Sequence, residues 1–543
     1  FGPSDDPPRI TSQNITSRHM LPTISLQLAA VTSFFFIFSV TDGLESHHCE
    51  SLLTAPDDGL VLLQRRAAAR SSRVSSTGVR PSIVFILVDD LGYSDLGYTN
   101  PKMATPNIDA LAKGGVRLNA FYTASICAPA RASLLTGRYS YKVLQHNYMP
   151  QQIWGVDLGY TMLPAALRDI GYRTHMVGKW HQGFYKSDFL PTHRGFESFF
   201  GYLAGGADHL TQEMNEVECP WGIPVGLTDG ELPAKTMNGT VYSDTAFADR
   251  AVELIGSHDF SSEPMFLLVA LSNPHAPFQA PPGTKASTRD EIYKSMMEAV
   301  DDAVSHITKA LEKAKALDNT LLIFTSDNGA ALGSSGSNAP FRGAKYSNWE
   351  GGIRVPAFVA GGFLPEAVRG RSLDGIISMT DWYATLAGIA GAKVDHKGPA
   401  NSDSIDQWRY ISGRSSWSGR NVLVHDHVVS PGEPAVGALR LGKWKLLVGQ
   451  QKRAALYGES LSDADSEISA CDSAPCLFDI EADPTESADK AAEHPEVVQN
   501  LLQRFEKISG EYHVPHDTSE ESWELRDCCD VWGKAGGFIA PWK

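Results

Sequence analysis

The chain has 543 residues, 42% hydrophobic and 20% charged, which is the composition of a folded globular protein and excludes a disordered or fibrous one. A formal charge of −16 argues against a nucleic-acid binder, and any anionic ligand must meet cations concentrated locally in its pocket. The length is too great for one small core and suits a large α/β domain with a smaller companion.

In chain order, residues 1–43 read as an N-terminal extension with a signal peptide. Ile24–Val40 is an apolar run without charge, preceded by Arg18, His19 and Met20, and it predicts a secretory signal starting at Met20. An uncleaved anchor is the rival, but the run barely reaches the roughly 17 residues a membrane span requires, so no stable anchor is expected. Residues 44–80, with Arg65, Arg66, Arg70 and Arg73 among small polar residues, read as a flexible linker. Setting Cys127 aside, Cys49, Cys219, Cys471, Cys476, Cys528 and Cys529 make an even number, compatible with disulfides whose pairing the sequence leaves open. With the sequon Asn238-Gly239-Thr240, these features predict a secretory-pathway glycoprotein, extracellular or lysosomal.

Residues 81–430 read as the catalytic domain. Ile83–Val88 is a continuous β-branched and apolar run, the pattern of a strand buried on both faces of a parallel sheet, and Met265–Leu271 and Leu321–Thr325 repeat it. Helical patterns at Asn107–Lys113, Met162–Ile170 and Glu291–Ala316 fall between them, which predicts a mostly parallel central sheet with flanking helices. Residues 431–543 read as a smaller α+β unit: short segments at Ala438–Leu441, Lys443–Val448 and Leu477–Ile480 predict an antiparallel sheet, followed by a helix over Glu496–Ser509.

In open α/β sheets ligands gather beyond the carboxyl ends of the strands, so those ends are the places to look for chemistry. The first strand ends in Asp89-Asp90 and a later one in Asp327-Asn328. Each pair alone reads as a turn. Together, three carboxylates and an amide oxygen form a hard oxygen set suited to Ca²⁺ or Mg²⁺. Cys127 precedes Pro129, which favours a first helical turn, and Gly137, which suits the helix end; Arg131 follows one turn on. A buried structural cysteine and a conventional thiolate nucleophile are the other readings of Cys127. Lys179 and His181 alternate onto one face of an extended segment. His275 and Lys345 each follow a strand end, and a cluster of cations with proton-transfer groups suits an anionic substrate.

These residues resemble a known family. Cys127-x-Pro129-x-Arg131-x-x-Leu134-x-Thr136-Gly137 and the segment Gly171-Tyr172 to Gly178-Lys179-Trp180-His181 match the two signatures of the formylglycine-dependent sulfatases, and the likeness runs from about Ile83 to Glu486. Gln145-His146, Leu190-Pro191-Thr192, Arg194-Gly195-Phe196 and Trp349-Glu350-Gly351-Gly352 read like the arylsulfatase B (N-acetylgalactosamine-4-sulfatase) subgroup. The resemblance implies an alkaline-phosphatase-like sulfatase fold. It also implies that the formylglycine-generating enzyme oxidises Cys127 to formylglycine, whose hydrate attacks sulfur. By carry-over Asp89, Asp90, Asp327 and Asn328, with residue 127, hold one Ca²⁺. Lys179 and Lys345 clamp sulfate, Arg131 steadies the nucleophile, His275 protonates the leaving alcohol, and His181 takes a proton from the nucleophile. The implied substrate is a sulfated carbohydrate or aryl sulfate. Gln182, Ala276 and Phe278 depart from the subgroup pattern and are expected to bear on substrate choice. Two rival readings are a phosphodiesterase or phosphonate hydrolase of the same superfamily, and a non-catalytic homologue that binds sulfated glycans.

Overall fold

The run Ser82–Val88, buried at every position, lies inside a ten-stranded sheet with strands on both sides of it. The structure is a computed structural model, and it describes residues 80–543 except 215, 235–240, 395–397, 429–434, 452–470, 472 and 515–524. The expected signal peptide, the linker, Cys49 and the sequon at Asn238 lie outside the described residues.

In chain order the strands are β1 (Ser82–Val88), β2 (Val116–Leu118), β3 (Phe121–Tyr122), β4 (Arg173–Lys179), β5 (Ser198–Tyr202), β6 (Leu227–Asp229), β7 (Leu232–Pro233), β8 (Met265–Ala270), β9 (Thr320–Ser326), β10 (Ala357–Ala360), β11 (Ser372–Leu373), β12 (Ile377–Ser378), β13 (Val422–Val428), β14 (Val436–Leu441), β15 (Trp444–Val448) and β16 (Cys476–Asp479). The large sheet has the order β11-β2-β10-β9-β1-β8-β4-β5-β6-β7. Its centre, β9-β1-β8-β4-β5, is parallel throughout, and antiparallel pairs with β10 and β6 flank that centre. The expected strands are therefore present, and buried because helices pack against the sheet. The longest helix, Arg289–Lys313, starts two residues before its expected first residue because Thr288 and Glu291 form a capping box: the Thr288 hydroxyl accepts from Glu291 N at 3.2 Å and the Glu291 carboxylate from Thr288 N at 3.0 Å.

The smaller sheet, β13-β14-β15-β16, is antiparallel as expected, but its first strand starts at Val422, ahead of the expected boundary at 431. The helix Pro495–Ile508 buries Val497, Leu501, Phe505 and Ile508, a stripe at helical spacing, against Leu439, Leu441, Leu446 and Leu477. Ala438, Leu447 and Phe478 cluster instead with Trp349, which belongs to the segment after β9. Cys219–Cys529 ties the C-terminal helix Leu525–Lys534 to the segment before β6, and Cys471–Cys476 closes a short loop; Cys127 is a free thiol. No helix among the described residues is long and apolar enough to cross a membrane.

Two histidines away from the strand ends make stability depend on pH. Burial, with His258 and Arg173 nearby, lowers His175 from 6.5 to about 4, and burial likewise lowers His427 to about 4, with His513 acting in the same direction. In that window the unfolded chain binds protons that the folded chain refuses, so stability falls as pH drops from about 6.5 to about 4 and changes little from these groups above it. Melting curves across that range should show a falling Tm that His175→Gln flattens; equal slopes in the two proteins would contradict this assignment.

Candidate active site

The parallel centre of the sheet brings four carboxyl-terminal strand ends to one edge. The β1–β9 register pairs Val88 with Ser326, so Asp89-Asp90 and Asp327-Asn328 emerge side by side, with Asp90 N donating to Asp327 Oδ1 at 3.2 Å. β4 delivers Lys179 and then His181, and β8 leads into Ser272-Asn273-Pro274-His275. Asp90 and His181 both hold left-handed backbone conformations, φ 62° and 54°, an energetic cost typical of functional positions.

Cys127 is the first residue of the helix Cys127–Thr136, one position further in than just before its start, and Gly137 closes that helix in the left-handed conformation at φ 66°. Asn147 Oδ1 accepts from Ala128 N at 3.0 Å at the helix start. Ser125, two residues before Cys127, donates its hydroxyl to Asp426 of β13 at 2.9 Å, so the smaller sheet braces the loop that presents Cys127. The Cys127 thiol is fully buried, 3.5 Å from Asp89 Oδ1 and 3.9 Å from Asp90 Oδ1. Burial, reinforced by Asp327 and Asp89 and only partly opposed by Lys179 and Lys345, pushes that thiol far up, so the thiolate reading is disfavoured.

The cations stand on the same carboxylates. Lys179 Nζ lies 2.6 Å from Asp89 Oδ2, and Lys345 Nζ lies 2.9 Å from Asp90 Oδ2. Arg131 grips Asp327 Oδ2 through Nε at 3.0 Å and Nη2 at 2.7 Å, while its Nη1 donates to Lys179 O. Burial alone would raise Asp89, yet Lys179, His275 and Arg131 hold it at about 2. Three carboxylates and three cations thus share one buried pocket with no net charge. Asn328 donates Nδ2 to Asp90 Oδ1 at 2.6 Å, and its buried Oδ1 has no hydrogen-bond partner. An unpaired buried acceptor among carboxylates suits a hard cation. Asp89, Asp90, Cys127 and His275 form a group close enough to hold a metal ion; Asp327 stands outside that group, with its Oδ2 engaged by Arg131.

His275 Nδ1 pairs with Ala276 O at 2.6 Å, which leaves Nε2 3.8 Å from Asp90 Oδ2. Burial and then Lys345 lower its proton affinity. His181 is buried with neither ring nitrogen partnered, and burial, Lys179 and Arg131 lower it strongly. All ten side chains singled out in the sequence, Asp89, Asp90, Cys127, Arg131, Lys179, His181, His275, Asp327, Asn328 and Lys345, are therefore brought into one cluster. Gln182 is fully buried and its Nε2 donates to Ala128 O at 3.0 Å, so it braces the helix that begins at Cys127.

Glu216 was not legible in the sequence. Its Oε2 is buried without a partner, and burial raises its carboxyl to about 7 against the opposing pull of Lys179. It comes close to the site only because Gly205 lacks a side chain: a Cβ there would stand 2.7 Å from Glu216 Oε1 and 3.0 Å from His181 Nε2. Nothing in the pattern around Glu216 distinguishes it from a solvated loop carboxylate.

A family model described as Sulfatase matches residues 81–392. The chain is 33% identical over 499 residues to arylsulfatase J of Mus musculus, across 85% of this chain and 80% of that one. It is 31% identical over 497 residues to arylsulfatase G of Rattus norvegicus, across 83% and 91% of the two chains. Among solved structures, Ps i-CgsB in complex with k-i-k-neocarrahexaose superposes with a TM-score of 0.67 at 28% identity, covering 84% of this chain and 98% of that one.

Proposed function

This chain belongs to the sulfatase family and is a sulfuric ester hydrolase, and from that premise we propose that it removes sulfate from a sulfated carbohydrate, in the manner of arylsulfatase B, using formylglycine made from Cys127 and one Ca²⁺. The observation that carries this reading is the meeting of the buried Cys127 with Asp89, Asp90 and the unpaired Asn328 Oδ1, with Lys179 and Lys345 on the same carboxylates. We further propose that the formylglycine-generating enzyme acts on the chain in the secretory pathway, on the way to an extracellular or lysosomal destination.

Asp89, Asp90, Asp327, Asn328 and residue 127 would hold the ion, which would supply positive charge that orients a sulfate oxygen and offsets charge on the reacting oxygens. Formylglycine at position 127 would supply the nucleophilic oxygen where the buried thiol cannot. The remaining work falls to the chain's own groups. Lys179 and Lys345 turn their ammonium groups from the carboxylates towards the sulfate oxygens and fix the ester in place. Arg131, pinned by Asp327 and by Lys179 O, keeps the start of the Cys127 helix in register with the acidic edge. With Nδ1 committed to Ala276 O, His275 presents Nε2 as the donor that protonates the leaving alcohol. Burial and then Lys345 lower the proton affinity of that ring, and the negative charge of a bound sulfate acts in the opposite direction, favouring the protonated donor when substrate is present. His181, buried and unpartnered, receives a proton at residue 127.

The testing experiment is release of inorganic sulfate from a small aryl sulfate, measured before and after calcium chelation. Chelation should abolish release and lower Tm, and Ca²⁺ should restore both; saturation a hundredfold above Kd corresponds to about 2.7 kcal/mol of stabilisation. Undiminished turnover after chelation would overturn the calcium assignment. Faster release from a phosphodiester would favour the phosphodiesterase reading, although the described residues contain a single metal-capable cluster. Binding without release would favour the non-catalytic reading.

Gly205→Ala is expected to lower kcat about tenfold or more, because the added methyl must displace Glu216 or His181 from the pocket wall. Unchanged kcat would show that their close approach is not needed for turnover.

A further inference from the structure

We propose that a groove at the β11 edge of the large sheet is a second binding site for a sulfated glycan chain, separate from the catalytic pocket; this rests on the substrate class proposed above. The groove has a volume of about 690 Å³, and Arg371, Asp374, Tyr410, Arg414 and Trp417 are among the residues that line it. β2, β10 and β9 separate β11 from β1, so four strand spacings, roughly 19 Å, lie between the groove edge and the strand that carries Asp89-Asp90.

Three features make this a ligand site and not a surface irregularity. First, Arg371 and Arg414 are exposed and neither guanidinium has a carboxylate or other partner among the described residues. Two such arginines lining one groove are unexpected on a chain with a formal charge of −16. Asp374, the acid of the groove, is engaged elsewhere: its Oδ1 accepts from Asn119 Nδ2 at 2.7 Å. Second, Trp417 is 55% exposed, a large indole face that the fold itself does not use. Third, the loop carrying these groups is set in advance. Ser415 Oγ accepts from Trp417 N at 3.1 Å and donates to Trp417 O at 2.7 Å. Ser418 Oγ accepts from Arg420 N, and Arg420 is anchored on the buried Asp381. Gly375 N donates to Tyr410 OH at 2.8 Å, which ties the segment after β11 to the opposite wall.

The chemistry selects the occupant. Guanidinium forks match the oxygens of a sulfate ester in a bidentate arrangement, and the apolar face of a pyranose stacks on an exposed indole. The exposed Ser416 on the same loop offers a hydroxyl to a sugar hydroxyl. A preset loop binds with little ordering cost. A polymer that holds this groove while its end reaches the catalytic pocket is presented there at high effective concentration.

The test uses the full chain and the triple variant Arg371→Glu, Arg414→Glu, Trp417→Ala, with fluorescent dextran sulfate as the binding probe and a small aryl sulfate as the catalytic probe. The expected result is a fall in dextran sulfate affinity of about tenfold or more, with aryl sulfate kcat/KM unchanged and no binding of unsulfated dextran. Unchanged dextran sulfate affinity would overturn the site. Polyglutamate bound as tightly, and lost to the same extent, would overturn the glycan assignment in favour of an acidic protein partner. If the unsubstituted chain binds dextran sulfate through the groove but releases no sulfate from any ester, the proposed function fails and the groove stands. Should the triple variant melt early, the exposed single changes Trp417→Ala and Arg414→Gln decide: each must weaken dextran sulfate without moving aryl sulfate turnover, and two unaffected singles would count against the site.

Discussion

Cys127→Ala is expected to abolish sulfate release, lowering kcat by about 10⁴-fold or more, while Tm stays near that of the unsubstituted chain. The size follows from what the side chain does in the proposed reaction: it is the source of the nucleophilic oxygen, and no other nucleophile stands in its place. The small structural effect follows from geometry. Cys127 opens a helix whose neighbours Ala128, Pro129 and Ala130 are already small and buried, and the helix keeps its Asn147 contact at the start and Gly137 at the end. Removing one sulfur leaves a cavity smaller than those that cost several kcal/mol. An active Cys127→Ala protein would overturn the covalent mechanism. A protein that unfolds instead would show that the buried thiol is structural, and sulfate binding by the folded Cys127→Ser chain would then separate the two roles.

The second large effect concerns stability. Lys445 of β15 is fully buried, with its ammonium 2.9 Å from Glu350 Oε1 and 2.8 Å from Glu486 Oε1. Tyr122 donates to Glu350 Oε2 at 2.7 Å, and Arg354 reaches the same oxygen at 3.3 Å. This network joins the smaller sheet to the helix Glu350–Ile353 of the larger unit. Burial raises Glu486 to about 7 even with Lys445 beside it. Lys445→Met leaves two buried carboxylates without their shared cation and is expected to cost about 3–5 kcal/mol, read as a lower denaturation midpoint. Adding Glu486→Gln to Lys445→Met should recover part of that loss, because one uncompensated charge is then gone. The exposed pair Arg250–Asp229, 2.6 Å apart, is the control: Arg250→Ala should cost less than about 1 kcal/mol. Equal losses at the two sites would contradict the network's role.

The strands and the catalytic cluster were legible because both leave local signatures. A strand buried on two faces must be apolar without interruption, as β1, β8 and β9 are, and a parallel sheet then gathers the residues after its strands, which is how Asp89, Lys179, His275 and Asp327 meet. Groups whose importance is set by long-range contact left no such trace. Lys445 sits in an ordinary strand pattern, Glu350 was noted only as part of a motif, and their partnership exists only once β15 packs against the segment after β9. Glu216 gains its unusual carboxyl from burial beside Gly205, neither of which has a periodicity. Gln182 stands out in the sequence only as a departure from the subgroup pattern; its bond to Ala128 O, just after the left-handed turn at His181, is a tertiary contact with no local signature. Disulfide pairing is likewise tertiary: Cys219 and Cys529 are 310 residues apart, and the neighbouring Cys528 offers the same thiol by sequence. The start of the smaller sheet was placed late because Val422–Val428 contains His425, Asp426 and His427, polar residues that hide a buried strand.

The most direct measurement is the mass of the tryptic peptide Leu118–Arg131, which contains Cys127, from protein made in a host competent for formylglycine formation. Replacing the thiol's sulfur by an aldehyde oxygen, with loss of two hydrogens, lowers that mass by about 18 Da, and this change supplies the activated nucleophile that the mechanism requires. The account predicts the lighter peptide in proportion to sulfate-releasing activity. A peptide that carries only the unmodified thiol in a preparation that still hydrolyses sulfate esters would contradict it.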